Sequence, residues 1–167
     1  MPADPETLPS AVQRLQDRAA IQDLAVDYAY AVDDQDWERW RSLFSSDAHV
    51  DYASSGGIAG SRDEIVAWFP QAMSVFRSTM HTATCHEIRF IDDDHAVGRV
   101  HLFNRNELSW DGVDEVLDIS GIYEDKYEKV DGRWRFTYRR EDTVAIVGGA
   151  FAEMLRGIAA KQRAAAQ

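Results

Sequence analysis

Apolar positions recur at roughly three- to four-residue spacing through Val12, Leu15, Ala19, Leu24, Ala25, Tyr28 and Val32. That repeat is the mark of a helix burying one face. The stretch VQRLQDRAAIQDLAVDYAYAVDD therefore predicts a first helix from Val12 to Asp34, with Ser10 and Gln13 placed to form its capping box. A short second helix follows in DWERWRSLF, with Trp37, Trp40, Leu43 and Phe44 on one side. SSDAHVDYASS predicts a turn and a short strand, in which Val50 and Tyr52 alternate with His49 and Asp51, and SSGGIAG predicts a loop. Ser61 and Glu64 form a second capping-box pattern. The helix it opens carries Ile65, Val66, Trp68, Phe69, Met73 and Phe76. Pro70 lies inside it, so a kink or a break is expected there.

From His81 the character changes. The runs HTATCHEIRFI, HAVGRVHLFNRNEL, EVLDISGIYEDKYEKV and RWRFTYRREDTVAIV are rich in β-branched and aromatic residues. Turn signals in IDDDH, WDGVD and KVDGRW separate them. Four long antiparallel strands are predicted, with His81 at the head of the first and the tightest hairpin at Asp131–Gly132. Strands this long must bend, so bulges are expected, with Gly98, Asn104 and Gly121 as candidate bending points. The tail FAEMLRGIAAKQRAAAQ predicts a helix that covers a pocket or packs on a neighbouring subunit. Helices followed by a curved meander make an α+β arrangement. A sheet curled around a helical layer forms a cone whose open end is a pocket for a small apolar ligand. The expected organisation is a flexible lead over residues 1–10, one domain over 11–148 and a helical tail over 149–167.

A chain of 167 residues suffices for one domain with an adequate core. The net charge of -11 argues against a nucleic-acid partner, because phosphate neutralisation needs a basic face. The basic, aromatic stretch GRWRFTYRR is too short to offset it. No apolar run is long enough to span a membrane. MPADPETLPS lacks the basic and apolar regions of a signal peptide. A single cysteine, Cys85, excludes an intrachain disulfide, fits a cytoplasmic location and is expected to be buried and structural.

The chain contains no GxGxxG, P-loop, GxSxG or HExxH pattern. Its histidines are His49, His81, His86, His95 and His101. His81 and His86 fall on opposite faces of a strand unless a bulge intervenes, so a metal site built from His81, His86 and His101 is geometrically awkward. Neither a metal nor an organic cofactor is expected. What remains is acid–base chemistry with His81 as proton acceptor, since histidine titrates near pH 6.5. The helix dipole disfavours a carboxylate at Asp33. That residue therefore either ends the helix in solvent or is kept by a partner, for which an imidazole is the natural choice. Tyr28, Tyr30 and Tyr52 supply hydroxyl donors, and His101 and Asn104, on the next strand, are placed to share the cavity. Tyr123 and Tyr127 are expected to be core tyrosines with satisfied hydroxyls. Arg139 and Arg140 point opposite ways, and strict alternation puts Arg139 on the face away from Trp134, Phe136 and Tyr138. Which arginine faces the cavity is open at this level.

RAAIQDL in the first helix, Asp33 nine residues after its final leucine, and His81 carry a resemblance, joined by the style of GIYEDKYEKVDGRWRFTYRR. Over residues 12–148 the chain resembles the SnoaL-like family of the nuclear transport factor 2-like superfamily. That group includes hexachlorocyclohexane dehydrochlorinase and, more distantly, scytalone dehydratase and bile acid 7α-dehydratase. The resemblance implies a cone-shaped α+β barrel (an NTF2-like, cystatin-like roll). It also implies cofactor-free proton abstraction, with His81 as base, Asp33 as its orienting carboxylate and Arg139 as a pocket arginine. Tyr28 falls where the dehydrochlorinase has a lysine that assists the departing chloride. A tyrosine suits a hydroxyl leaving group or an enolate better. The expected activity is therefore a dehydratase-type lyase acting on a hydrophobic cyclic, polyketide-like or steroid-like molecule. The expected substrate contacts are Tyr30, Tyr52, His101, Asn104 and Arg139. The alternatives are an isomerase or cyclase using the same proton abstraction, a non-catalytic binding or oligomerisation module, and the small subunit of a ring-hydroxylating dioxygenase. The family also implies a homotrimer or homodimer joined through the outer sheet face.

Overall fold

The computed structural model describes residues 8–165. Residues 1–7 of the expected lead lie outside that range. Helix α1 spans Leu8–Asp33, so Ser10 lies within its first turn and is not its cap. Its inward face consists of Asp17, Ile21, Leu24, Ala25, Tyr28, Ala31 and Val32. Val12 and Leu15 are exposed, against expectation. At that end the helix meets the sheet through Arg14 and Arg18, whose guanidinium groups lie 4.4 and 5.7 Å from the Phe90 ring centroid. Helix α2 (Trp37–Ser42) is capped by Asp36, which accepts the Arg39 N–H at 2.9 Å. Strand β1 (Phe44–Asp51), a short 3-10 turn (Ala53–Ser55) and strand β2 (Ala59–Ser61) lead to helix α3 (Arg62–Met73). Both halves of the Ser61–Glu64 capping box form. The helix continues unbroken through Pro70, which removes one N–H without ending it.

Four long strands follow: β3 (Phe76–Phe90), β4 (His95–Trp110), β5 (Val113–Val130) and β6 (Arg133–Val147). His81 is thus in mid-strand rather than at its head. The sheet order is β2-β1-β6-β5-β4-β3. Every pairing is antiparallel except β1 with β6. The Asp111–Gly112 and Asp131–Gly132 turns both carry two left-handed residues, with φ of 51° and 79° in the first and 51° and 74° in the second. Two-residue hairpins need that conformation to match the strand twist.

Bulges decide which side chains face inward. Cys85 and His86 together oppose one residue of β4, and Cys85 adopts a φ of 50°. Cys85 is therefore exposed, not buried, while His81 and His86 are both brought to the inner side. In β6, Thr137 is an extra residue between the Lys126–Tyr138 and Tyr127–Phe136 pairs. Val144 is another, between the Ser120–Ala145 and Gly121–Thr143 pairs. Gly121 sits at this irregularity, and Gly98 gives room to the Tyr127 ring, where a Cβ would lie 2.9 Å from it. Asn104 pairs regularly and is no bending point.

The helices pack on the concave side around an aromatic core. Trp40 stacks on Phe44 at 4.2 Å, and Phe44 on Phe136 at 4.9 Å. Burying side chains of this size contributes roughly 1.5–3 kcal/mol each. Helix α4 (Ala150–Ala165) closes one end of the cone. Glu115 of β5 accepts the N–H groups of Ala150 and Phe151 at its start, and Gln162 near its end donates to the Gly57 carbonyl at 2.9 Å. No helix among the described residues is long and apolar enough to cross a membrane.

Candidate active site

The C-terminal end of α1 lies against β3, the edge strand of the sheet. An edge strand presents N–H groups with no ladder partner. Asp33 fills that gap. Its carboxylate accepts the His81 backbone N–H at 2.9 and 3.1 Å, the Thr79 hydroxyl at 3.1 Å, and the His81 ring Nδ1 at 2.6 Å. Burial alone pushes the Asp33 carboxyl upward, but the His81 and Thr79 contacts outweigh it and hold the group below its ordinary value.

A second contact fixes the other ring nitrogen. The Asn106 amide nitrogen donates to Asn104 Oδ1 at 3.1 Å and to the Leu117 carbonyl at 3.3 Å. With its oxygen occupied, Asn104 turns its Nδ2 to His81 Nε2 at 3.2 Å. Nδ1–H donates to Asp33 and the Asn104 amide donates to the Nε2 lone pair, so the tautomer is set from both sides.

His81, Asn104 and Asn106 line a cavity of about 430 Å³. This is within the size range of small-molecule sites. Trp68, Phe69, Met73, Phe76 and Ile119 give it apolar walls, and Phe151, Met154, Leu155 and Ile158 of α4 cover it. Of the two roles expected for the tail, the structure shows the cover. Three tyrosines form a polar patch in the lining. Tyr28 Oη lies 2.7 Å from Tyr52 Oη and 3.5 Å from Tyr123 Oη. Burial pushes the Tyr52 and Tyr123 hydroxyls well above the usual phenol value, which keeps them neutral donors.

The expected site residues divide. His81, Asp33, Tyr28, Tyr52 and Asn104 come together. Tyr30 does not: it is 58% exposed, because two residues along a helix turn the side chain about 200° away from Tyr28. His101 is exposed on the outer face of β4, on the opposite parity from Asn104. Arg139 is inside, but behind the cavity wall. It makes a bidentate pair with Asp125 at 2.8 and 2.7 Å, and its guanidinium carbon lies 4.1 Å from the ring centroids of both Tyr28 and Tyr123. It braces the tyrosines and does not line the cavity. The Thr137 bulge brings Arg139 to the same side as Phe136, and Arg140 faces outward to Asp142 at 2.8 Å.

Sequence reasoning missed Asn106 and Glu141, and it placed Tyr123 in the core rather than in the cavity lining. Asn106 and Tyr123 carry the inward parity of Asn104 and Asp125, a usable signal. Glu141 was hidden by the bulge. It lines the cavity at 5% exposure, and burial is the main cause lifting its carboxyl to about 7.

The sequence profile of the SnoaL-like domain matches residues 13–140. An uncharacterized protein of Mycobacterium tuberculosis is 32% identical over 131 residues, covering 78% of this chain and 88% of its own length. The gamma-hexachlorocyclohexane dehydrochlorinase of Sphingobium indicum is 29% identical over 134 residues, covering 80% and 85%. A provisionally named scytalone dehydratase structure from Novosphingobium aromaticivorans superposes with a TM-score of 0.73 at 25% identity, covering 82% of this chain and 90% of its own.

Proposed function

This chain belongs to the SnoaL-like domain family, and from that membership we propose that it is a cofactor-independent lyase of the dehydratase type. Its substrate is a hydrophobic cyclic, polyketide-like or steroid-like molecule with a hydroxyl group on the carbon β to a carbonyl. The observation that carries this reading is the His81–Asp33 pair at 2.6 Å, with His81 in the lining of a largely apolar cavity. A bound ligand displaces the Asn104 amide from Nε2, and His81 Nε2 then removes the proton from the carbon next to the carbonyl. Asp33 stabilises the imidazolium that forms. The Tyr28 and Tyr52 hydroxyls donate to the carbonyl oxygen as it gains negative charge. Loss of the neighbouring hydroxyl then completes the elimination. A cavity around His81 favours this reading over a purely structural module, and a bound hydrophobic ligand fits its lining. We also propose that the protein works as a homo-oligomer joined through the outer sheet face, where Met80 and Phe103 are exposed.

The test is exchange of the substrate α-proton with deuterated solvent, followed by NMR on a β-hydroxy ketone carrying a phenyl ring. His81→Ala and Asp33→Asn should each slow exchange and turnover by about 10²–10⁴-fold with an unchanged circular dichroism spectrum. Undiminished exchange in His81→Ala would remove the dyad.

A further inference from the structure

We propose that Glu141 is the acid of the elimination, delivering its proton to the departing hydroxyl while His81 takes the α-proton. This rests on the lyase reading above and adds a second catalytic residue to it.

Glu141 has the burial of a structural residue without the pairing of one. Arg140, its neighbour in sequence, faces outward to Asp142, and the inward-facing Arg139 holds both oxygens of Asp125 behind the tyrosines, so its charge favours ionised Glu141 less than burial disfavours it. Thr143 donates its hydroxyl to Glu141 Oε1 at 3.0 Å. The other groups acting on Glu141 are Ser55 of the turn after β1, a hydrogen-bond donor, the Arg139 charge, which favours ionisation, and Asp51 at the end of β1, a like charge, which opposes it. Tyr52 and Tyr123 feel its charge in turn. A carboxyl that is buried, lacks an ion pair and faces a cavity keeps its proton near neutrality. A protonated carboxylic acid is a donor, which is what a hydroxide-like leaving group needs.

Its placement suits that role. His81 projects from β3 at the sheet edge, and Glu141 from β6, with β4 and β5 between them. Glu141 pairs across with Tyr123, four residues along β5 from Ile119, whose row contains Asn104 and His81. Base and acid therefore enter one cavity from different strands, with the tyrosine patch on the acid's side.

The step balances without an added reactant. The C–H electron pair becomes the new carbon–carbon π bond as His81 gains the proton. The C–O bond breaks, its electron pair stays on oxygen, and the Glu141 proton joins that oxygen to release water. Imidazolium and carboxylate are left, and proton return from His81 to Glu141 through water resets both.

The experiment compares two leaving groups on one skeleton: the phenyl-bearing β-hydroxy ketone and its β-acetoxy ester, which departs without protonation. Glu141→Gln keeps the shape and the Thr143 contact but has no acidic proton. It should lose about 10²–10⁴-fold in elimination of the hydroxy ketone, lose less than about threefold on the acetoxy ester, and leave α-proton exchange intact. Equal losses on both substrates, or none on the hydroxy ketone, would overturn the assignment, as would absence of wild-type elimination from the hydroxy ketone. A check that needs no variant is the wild-type pH profile. The maximal rate on the hydroxy ketone should fall above pH about 7, and on the acetoxy ester it should not; the same fall on both also counts against Glu141. Exchange lost in His81→Ala but kept in Glu141→Gln separates this claim from the dyad itself.

Discussion

Asp33 and Glu141 are both withdrawn from water, yet burial prevails at only one of them. Asp33 accepts two N–H groups and a hydroxyl, which favour its charged form. Glu141 has hydroxyl donors, and the Arg139 charge that favours its ionised form is opposed by Asp51 and outweighed by burial. The signs for stability are opposite. Asp33, held low, stabilises the fold at neutral pH, and that contribution disappears as pH falls through its depressed value. Glu141, raised from 4.5 to about 7, binds a proton more tightly folded than unfolded. Its contribution is fully present below pH 4.5 and is lost as pH rises to 7, on the order of 3 kcal/mol. Glu141→Gln should therefore gain stability relative to wild type between pH 4.5 and pH 8, read as the difference in thermal midpoint at the two values. A pH-independent difference would mean that the carboxyl titrates alike in the folded and unfolded chain. The Asp33–His81 pair was legible because both residues sit in a recognisable sequence setting. The exclusion of Tyr30 was legible too, since helical geometry forbids it the Tyr28 face.

Strands β3 and β6 show where sequence reading stops at the level of the element. Their alternation was visible, and so were their turns, because Asp–Gly pairs announce left-handed residues. The single extra residues at Cys85, Thr137 and Val144 were not visible. A bulge carries no fixed residue signature, and each one exchanges inside for outside along the rest of its strand. That is why Cys85 was placed inside and Arg139 was set apart from the aromatic row. The consequence in β6 is a buried charge that depends on its partner in β5. Asp125→Ala should cost about 3–5 kcal/mol in denaturant unfolding, since it leaves the Arg139 guanidinium buried and unpaired. A loss under about 1 kcal/mol would show that Arg139 finds another partner. Turnover should fall as well, because Tyr28 and Tyr123 rest on that guanidinium.

For the molecule as a whole, the cone follows from pattern: amphipathic helices first, then a long meander that must curl. The proposed assembly rests on the convex side, where Phe103 and Met80 are more than 40% exposed. Multi-angle light scattering should give a mass of two or three chains, and Phe103→Glu should shift it to one; a single-chain mass for the wild type would remove the oligomer proposal. Helix α4 has a practical corollary. Its side chains form part of the wall, and Gln162 ties its far end to Gly57. A purification tag or reporter fused downstream of Ala165 would thus hang from the chamber's roof, tugging on the helix that walls it. Handles for labelling or immobilisation belong elsewhere, and the Asp111–Gly112 hairpin, with open space around its glycine, offers such an attachment point.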